Sequence, residues 1–204
     1  MSYRVLFNTL DNEQAKDLRE QLTAQGHSCY NSGAALTDPE VKEKGLDLLV
    51  LSIPETGTEK ERHATILDEM DFPGLQQTLS ENVNEVLQTA LDAIPYLRRS
   101  KLKRIVLLTQ TSASIRETTE TTGYARHMSQ AAANMIMKIL FNTYRSEGFT
   151  FRCYAGREDG EKPDGIDALE YIFTEQSYVE RDNPKHSDEN RLVMRDEWLR
   201  ELSW

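Results

Sequence analysis

The chain has 204 residues and a formal net charge of -10, with hydrophobic residues making up 38% of the total. That length suits one ordinary domain with a real core, so no disulfide or metal is needed to explain folding. The acidic balance, with a sequence pI of about 5.0, argues against a protein built to hold nucleic acid or an anionic membrane, because phosphate binding needs a basic face.

Short apolar runs alternate with amphipathic segments along the chain, the sequence form of a largely parallel sheet covered by helices on both faces. Tyr3 to Phe7 is the first predicted strand, and it begins too early to leave room for a secretory leader. A helix follows over Glu13 to Gln25, with Ala15, Leu18 and Leu22 on one face and Gly26 ending it. His27 to Ser32 and Ala34 to Thr37 are candidate short strands, in a stretch cramped for two further complete βα units. Leu46 to Ser52 is near-continuously apolar, as a strand covered on both faces requires.

A long helix is expected over 74–97, where Leu79, Val83, Val86, Leu87, Ala90, Ile94 and Leu97 recur at helical spacing and Pro95 suggests a kink or an early stop. Arg104 to Thr109 is the next buried strand. Ser129 to Arg145 reads as a helix, Phe149 to Ala155 as a strand, Gly165 to Gln176 as a shorter helix, and Leu192 to Met194 as a last strand before a tail with Trp198, Leu202 and Trp204. Residues 53–73 and 177–190 read as loop-rich. No apolar run reaches the roughly 18 residues needed to span a bilayer, so a soluble, cytoplasmic protein is the expectation.

From about Leu46 to Gly156 this succession resembles the short-chain dehydrogenase/reductase (SDR) superfamily. Leu46 to Ser52 resembles the strand entering the family's Asn-Asn-Ala-Gly turn, and Asp71-Phe72 with Glu81-Asn82-Val83 the entry to its long interface helix. Arg104-Ile105-Val106 is similar to the strand carrying the catalytic serine, Ser129 to Met135 to the helix begun by a tyrosine and a lysine, and Gly148 to Arg152 to the strand that follows. The resemblance implies one Rossmann-like, doubly wound domain, shortened relative to typical members.

It does not carry the family's function with it. A dinucleotide's pyrophosphate needs close backbone approach at a helix N-terminus, which the family provides with glycines after the first strand. By resemblance those positions are Thr9, Glu13 and Ala15, and the Asn-Asn-Ala-Gly turn is Leu51-Ser52-Ile53-Pro54. No dinucleotide is therefore expected; NAD(P) would return only if this placement of the glycine motif were wrong. The family's tyrosine, made acidic by a lysine four residues on, exchanges a proton with the substrate oxygen while a serine hydrogen-bonds it. The tyrosine position is Arg126 and the lysine position Gln130; if Tyr124 is taken as the tyrosine, the lysine position becomes Met128. The serine position falls at Gln110, with Thr109, Thr111 and Ser112 near enough to offer a hydroxyl, and only Asn82 matches a member of the tetrad.

The remaining constellations are bland. His27, His63, His127 and His186 form no ligand pattern, so no metal site is expected. Cys29 and Cys153 are expected to be reduced and buried. The basic run Arg98, Arg99, Lys101, Lys103 and Arg104 follows a helix C-terminus, where cations complement the dipole. Tyr124, Arg126 and His127 are candidate contacts for an anionic or polar ligand, set against the plainer reading of a mobile polar loop leading into a helix. Retained apolar faces on the helices over 74–97 and 129–145, which in the family meet between subunits, point to a non-catalytic homo-oligomer or a partner of an SDR relative. An atypical oxidoreductase or a small-ligand binder in the remodelled cleft is the alternative.

Overall fold

The computed structural model describes residues 2–33, 35–54, 59–156, 165–173 and 188–204. Seven strands form one sheet in the order β2-β1-β3-β4-β5-β6-β7. They are β1 (Arg4–Phe7), β2 (Ser28–Asn31), β3 (Leu48–Ser52), β4 (Arg104–Gln110), β5 (Thr150–Gly156), β6 (Met194–Asp196) and β7 (Glu201–Leu202). Only the β6–β7 pair is antiparallel. The helices are α1 (Glu13–Ala24), α2 (Pro39–Lys44), α3 (Glu59–His63), α4 (Phe72–Leu79), α5 (Glu85–Leu97), α6 (Tyr124–Tyr144) and α7 (Ala168–Phe173). This is a Rossmann-like α/β architecture.

Strand alternation explains how both faces are filled. Val5, Phe7, Leu48, Val50, Val106 and Leu108 turn toward Ala15, Leu18 and Leu22 of α1 and Tyr171 and Ile172 of α7. Leu6, Leu49, Leu51, Ile105 and Leu107 turn the other way, toward Val41 of α2, Val86, Ala90 and Ile94 of α5, and Ile136, Met137 and Leu140 of α6. Each such aliphatic side chain, fully removed from water, contributes about 1.5–3 kcal/mol.

Several expected elements shift. Ala35–Thr37 is a 3-10 turn rather than a strand, and it leads into α2, capped by Asp38 and started by Pro39. Between β2 and β3 there is thus no further strand among the described residues, and the described sheet ends one strand short of the 3-2-1-4-5-6 doubly wound order. The helix expected over 74–97 begins at Phe72 and is interrupted by a π-helical segment, Ser80–Asn84. Pro95 lies within its last turn and does not stop it early. α6 begins one turn before Ser129, at Tyr124, so residues 124–128 are helix rather than loop. The last parallel strand lies at Met194–Asp196, and the tail returns as β7. Residues 174–176 of the helix expected over 165–176 fall outside the described residues, as do 177–187 and His186.

A buried charge network has no counterpart in the sequence reading. Arg104, expected at a helix dipole, is instead 4% exposed and pairs with Glu189 at 2.8 Å. Arg152 pairs with the same Glu189, and Arg195 pairs with Asp188 at 2.6 Å, with both side chains buried. The Arg104 and Arg152 bonds fasten Glu189 to β4 and β5, and the Arg195–Asp188 pair braces the segment internally. Cys153 is buried as expected, whereas Cys29 is only half-buried; both are free thiols. Burial pushes the Cys153 thiol well above its ordinary range, so it is inert. Among the described residues no helix is long and apolar enough to cross a membrane, and no cluster of potential metal ligands occurs.

Candidate functional site

The strand order reverses between β1 and β3, and in open α/β sheets ligands bind beyond the carboxyl ends of the strands at that point. Side chains stitch this crevice together. Asn8, 4% exposed, donates from Nδ2 to the Ser52 carbonyl at 2.9 Å and accepts the Ser52 N–H at 2.8 Å. Asn12 donates to the Ile53 carbonyl at 3.2 Å, while its Oδ1 accepts the Ala15 N–H and caps α1. Thr9 turns its hydroxyl back to accept the Asp11 N–H. Ala15 is buried, and Glu13 is exposed and paired with Lys16 at 2.6 Å. The charge on Glu13 is thus offset locally and does little to repel an anion. Gln14 lies across the end of β5, so close to Gly156 that a Cβ there would clash with its side-chain amide.

A second group of side chains meets where β4 ends against the first turns of α6. The Gln110 Oε1 accepts from the Arg126 guanidinium and from the Gln130 Nε2 at 2.8 Å. The structure therefore brings Gln110, Arg126 and Gln130 into one hydrogen-bonded cluster. Asn82, 1% exposed in the π-helical segment, donates to the Ser129 hydroxyl at 3.3 Å, and that hydroxyl donates to the Ala125 carbonyl. Asn134 donates to the Ala113 carbonyl at 3.2 Å, tying α6 to the turn after β4. Thr109 and Ser112 are buried, whereas Thr111 is exposed. Tyr124 and His127 are half-buried on the first turn of α6, and neither makes a hydrogen bond to Gln110 or Arg126.

Asn8, Asn12 and Gln14 escaped the sequence reading. Asn12 was legible as a polar N-cap immediately before Glu13, but the partners of Asn8 and Gln14 lie on β3 and β5, far away in sequence. Tyr154 and Tyr171 are no substitutes for a catalytic tyrosine. Both hydroxyls are pushed well above the ordinary range by burial, with neighbouring carboxylates adding to it, and Tyr154 donates to the Ile166 carbonyl.

No family model matches the sequence. The structure is similar to the carbonyl reductase Sniffer of Drosophila melanogaster, with a TM-score of 0.65 over 100% of both chains at 15% identity. It is similar to an NADPH-bound carbonyl reductase from chicken fatty liver, with a TM-score of 0.58 over 98% and 87% of the two chains at 16% identity. A short-chain type dehydrogenase/reductase from Mycobacterium ulcerans matches with a TM-score of 0.61 over 77% and 69% at 13% identity. The chain has the SDR fold. In sequence it is 28% identical to the C-signal of Myxococcus xanthus over 125 residues, which is 59% of this chain and 75% of that protein.

The cofactor named for the chicken relative can be tested against the SDR-fold cleft of this chain. A pyrophosphate at the start of α1 would need open backbone and free amides. Here one first-turn amide, that of Ala15, is taken by Asn12, the turn is laced to β3 by Asn8 and Asn12, and Gln14 fills the space over β5. The side chains of Asn12 and Gln14 thus occupy ground where a pyrophosphate would rest.

Proposed function

We propose that this chain is an SDR-fold protein that does not transfer hydride and acts instead as a subunit of an oligomer, either with itself or with an SDR relative. The observation that carries the first half is the Gln110–Arg126–Gln130 cluster. Proton exchange with a carbonyl oxygen needs a group that titrates near the working pH. Two amides and a guanidinium are not such groups. The misfit of the α1 turn to a pyrophosphate supports the same reading.

The second half rests on apolar surface. Leu87 and Leu91 of α5 are 39% and 47% exposed, and Met128, Met135 and Ile139 make an exposed stripe on α6. Ala90, which the sequence places on the same face, is buried in the core. Contiguous apolar surface of this kind marks an association site or an aggregation liability.

One observation favours a second reading, an atypical oxidoreductase: Asn82 keeps a buried polar contact beside the cluster. The deciding experiment follows NADH and NADPH oxidation over a panel of aldehydes and ketones. The expected result is no turnover above background, and turnover of any of them transfers the chain to the second reading.

A further inference from the structure

We infer that the Gln110–Arg126–Gln130 cluster is a binding site for a small carboxylate that carries a hydroxyl on the adjacent carbon. This deepens the proposed function, since it rests on the cleft having been turned from chemistry to binding. Arg126 is half-buried, and among the described residues its hydrogen-bond partner is the neutral Gln110 rather than a carboxylate. A guanidinium whose neighbour is a neutral amide keeps donors free for an anion, and its planar fork matches a carboxylate in a paired geometry.

Hydrogen-bond logic then fixes what stands beside it. Arg126 can only donate, so Gln110 must present its oxygen. That oxygen can only accept, so Gln130 must present its nitrogen, as it does at 2.8 Å. The Gln130 Oε1 is left over, on a side chain only 5% exposed, and it has no partner. A buried acceptor without a donor costs free energy that an incoming hydroxyl would recover. A donor on the carbon next to a carboxylate answers both needs at once. α6 adds to the field, because its start at Gly123 has no side-chain cap and no acid in the first turn.

The test titrates the full chain calorimetrically with lactate and with propionate, which differ by that hydroxyl. Lactate should bind about five- to tenfold more tightly than propionate, the equivalent of one net hydrogen bond. Arg126→Gln should abolish both affinities, and Gln130→Met should remove the preference while keeping propionate binding. Lactate should also protect Arg126 of the unaltered chain from phenylglyoxal, read by mass spectrometry of its peptide, a measurement that needs no variant to fold. Absence of binding by either acid at 50-fold the working protein concentration and above, up to roughly 100 mM, overturns the inference, since no weaker site would be a function. So does binding that survives Arg126→Gln, or an unprotected Arg126. NADPH turnover read separately on the same sample decides the proposed function, so failure of one is distinguishable from failure of the other.

Discussion

Arg195 shows how much rests on single side chains in this molecule. Its guanidinium and Asp188 are bonded at 2.6 and 2.8 Å, and both side chains are essentially buried. Such a pair is weak proof of stability as a unit, but removing one partner strands the other as an uncompensated buried charge. Arg195→Leu is therefore expected to destabilise the fold by about 3–5 kcal/mol, read as a lower urea midpoint at unchanged slope. His27 gives the pH dependence. Burial, then the positive charge at the chain's amino terminus, holds its pKa below the ordinary value, and the neutral ring accepts the Tyr3 N–H on Nδ1. A base with a depressed folded pKa binds its proton more readily when unfolded. Its contribution is therefore full above the unfolded value of about 6.5 and is lost as pH falls toward and below it. Thermal unfolding from pH 8 to pH 5 should show this modest acid loss, and His27→Gln should flatten it.

At the scale of elements, the β1–α1 turn joins stability to function. Asn8 satisfies both backbone groups of buried Ser52, so Asn8→Ala leaves them without their partner and should cost about 1–3 kcal/mol by denaturant titration. How far such features were legible follows from their range. Strands β1, β3 and β4 were plain because each holds an unbroken apolar run, such as Ile105 to Leu108, and β5 was legible although Arg152 interrupts it. α2 was missed because only Val41 of its six residues is buried, although Asp38-Pro39 is a fair start signal. The true start of α6 was missed because Gly123 is a weak cap and Tyr124 to His127 carry no apolar stripe. At the site, the family resemblance singled out Gln110, Arg126 and Gln130, and the structure joins those three by hydrogen bonds. Asn8, Gln14 and the Arg104–Glu189 pair depend on contacts across the sheet, which no local pattern encodes.

For the whole molecule, the sheet keeps the switch-point geometry of a dinucleotide-binding fold while Asn8 and Asn12 reach by hydrogen bonds to the end of β3. The outward faces of α5 and α6 carry exposed apolar side chains, Leu87, Leu91, Met128, Met135 and Ile139, among polar ones. If the chain is the proposed subunit, Leu91→Glu with Ile139→Glu, both exposed positions, should dissociate that proposed assembly in light scattering without lowering secondary structure content; an unaltered chain that is monomeric at high concentration contradicts the subunit role. The central claim is that this SDR-fold chain works without a nicotinamide cofactor. Calorimetric titration with NADPH and NADH tests it most directly. The account predicts no saturable heat at millimolar nucleotide, and a dissociation constant below about 100 μM, an affinity of roughly 5–6 kcal/mol, would contradict it.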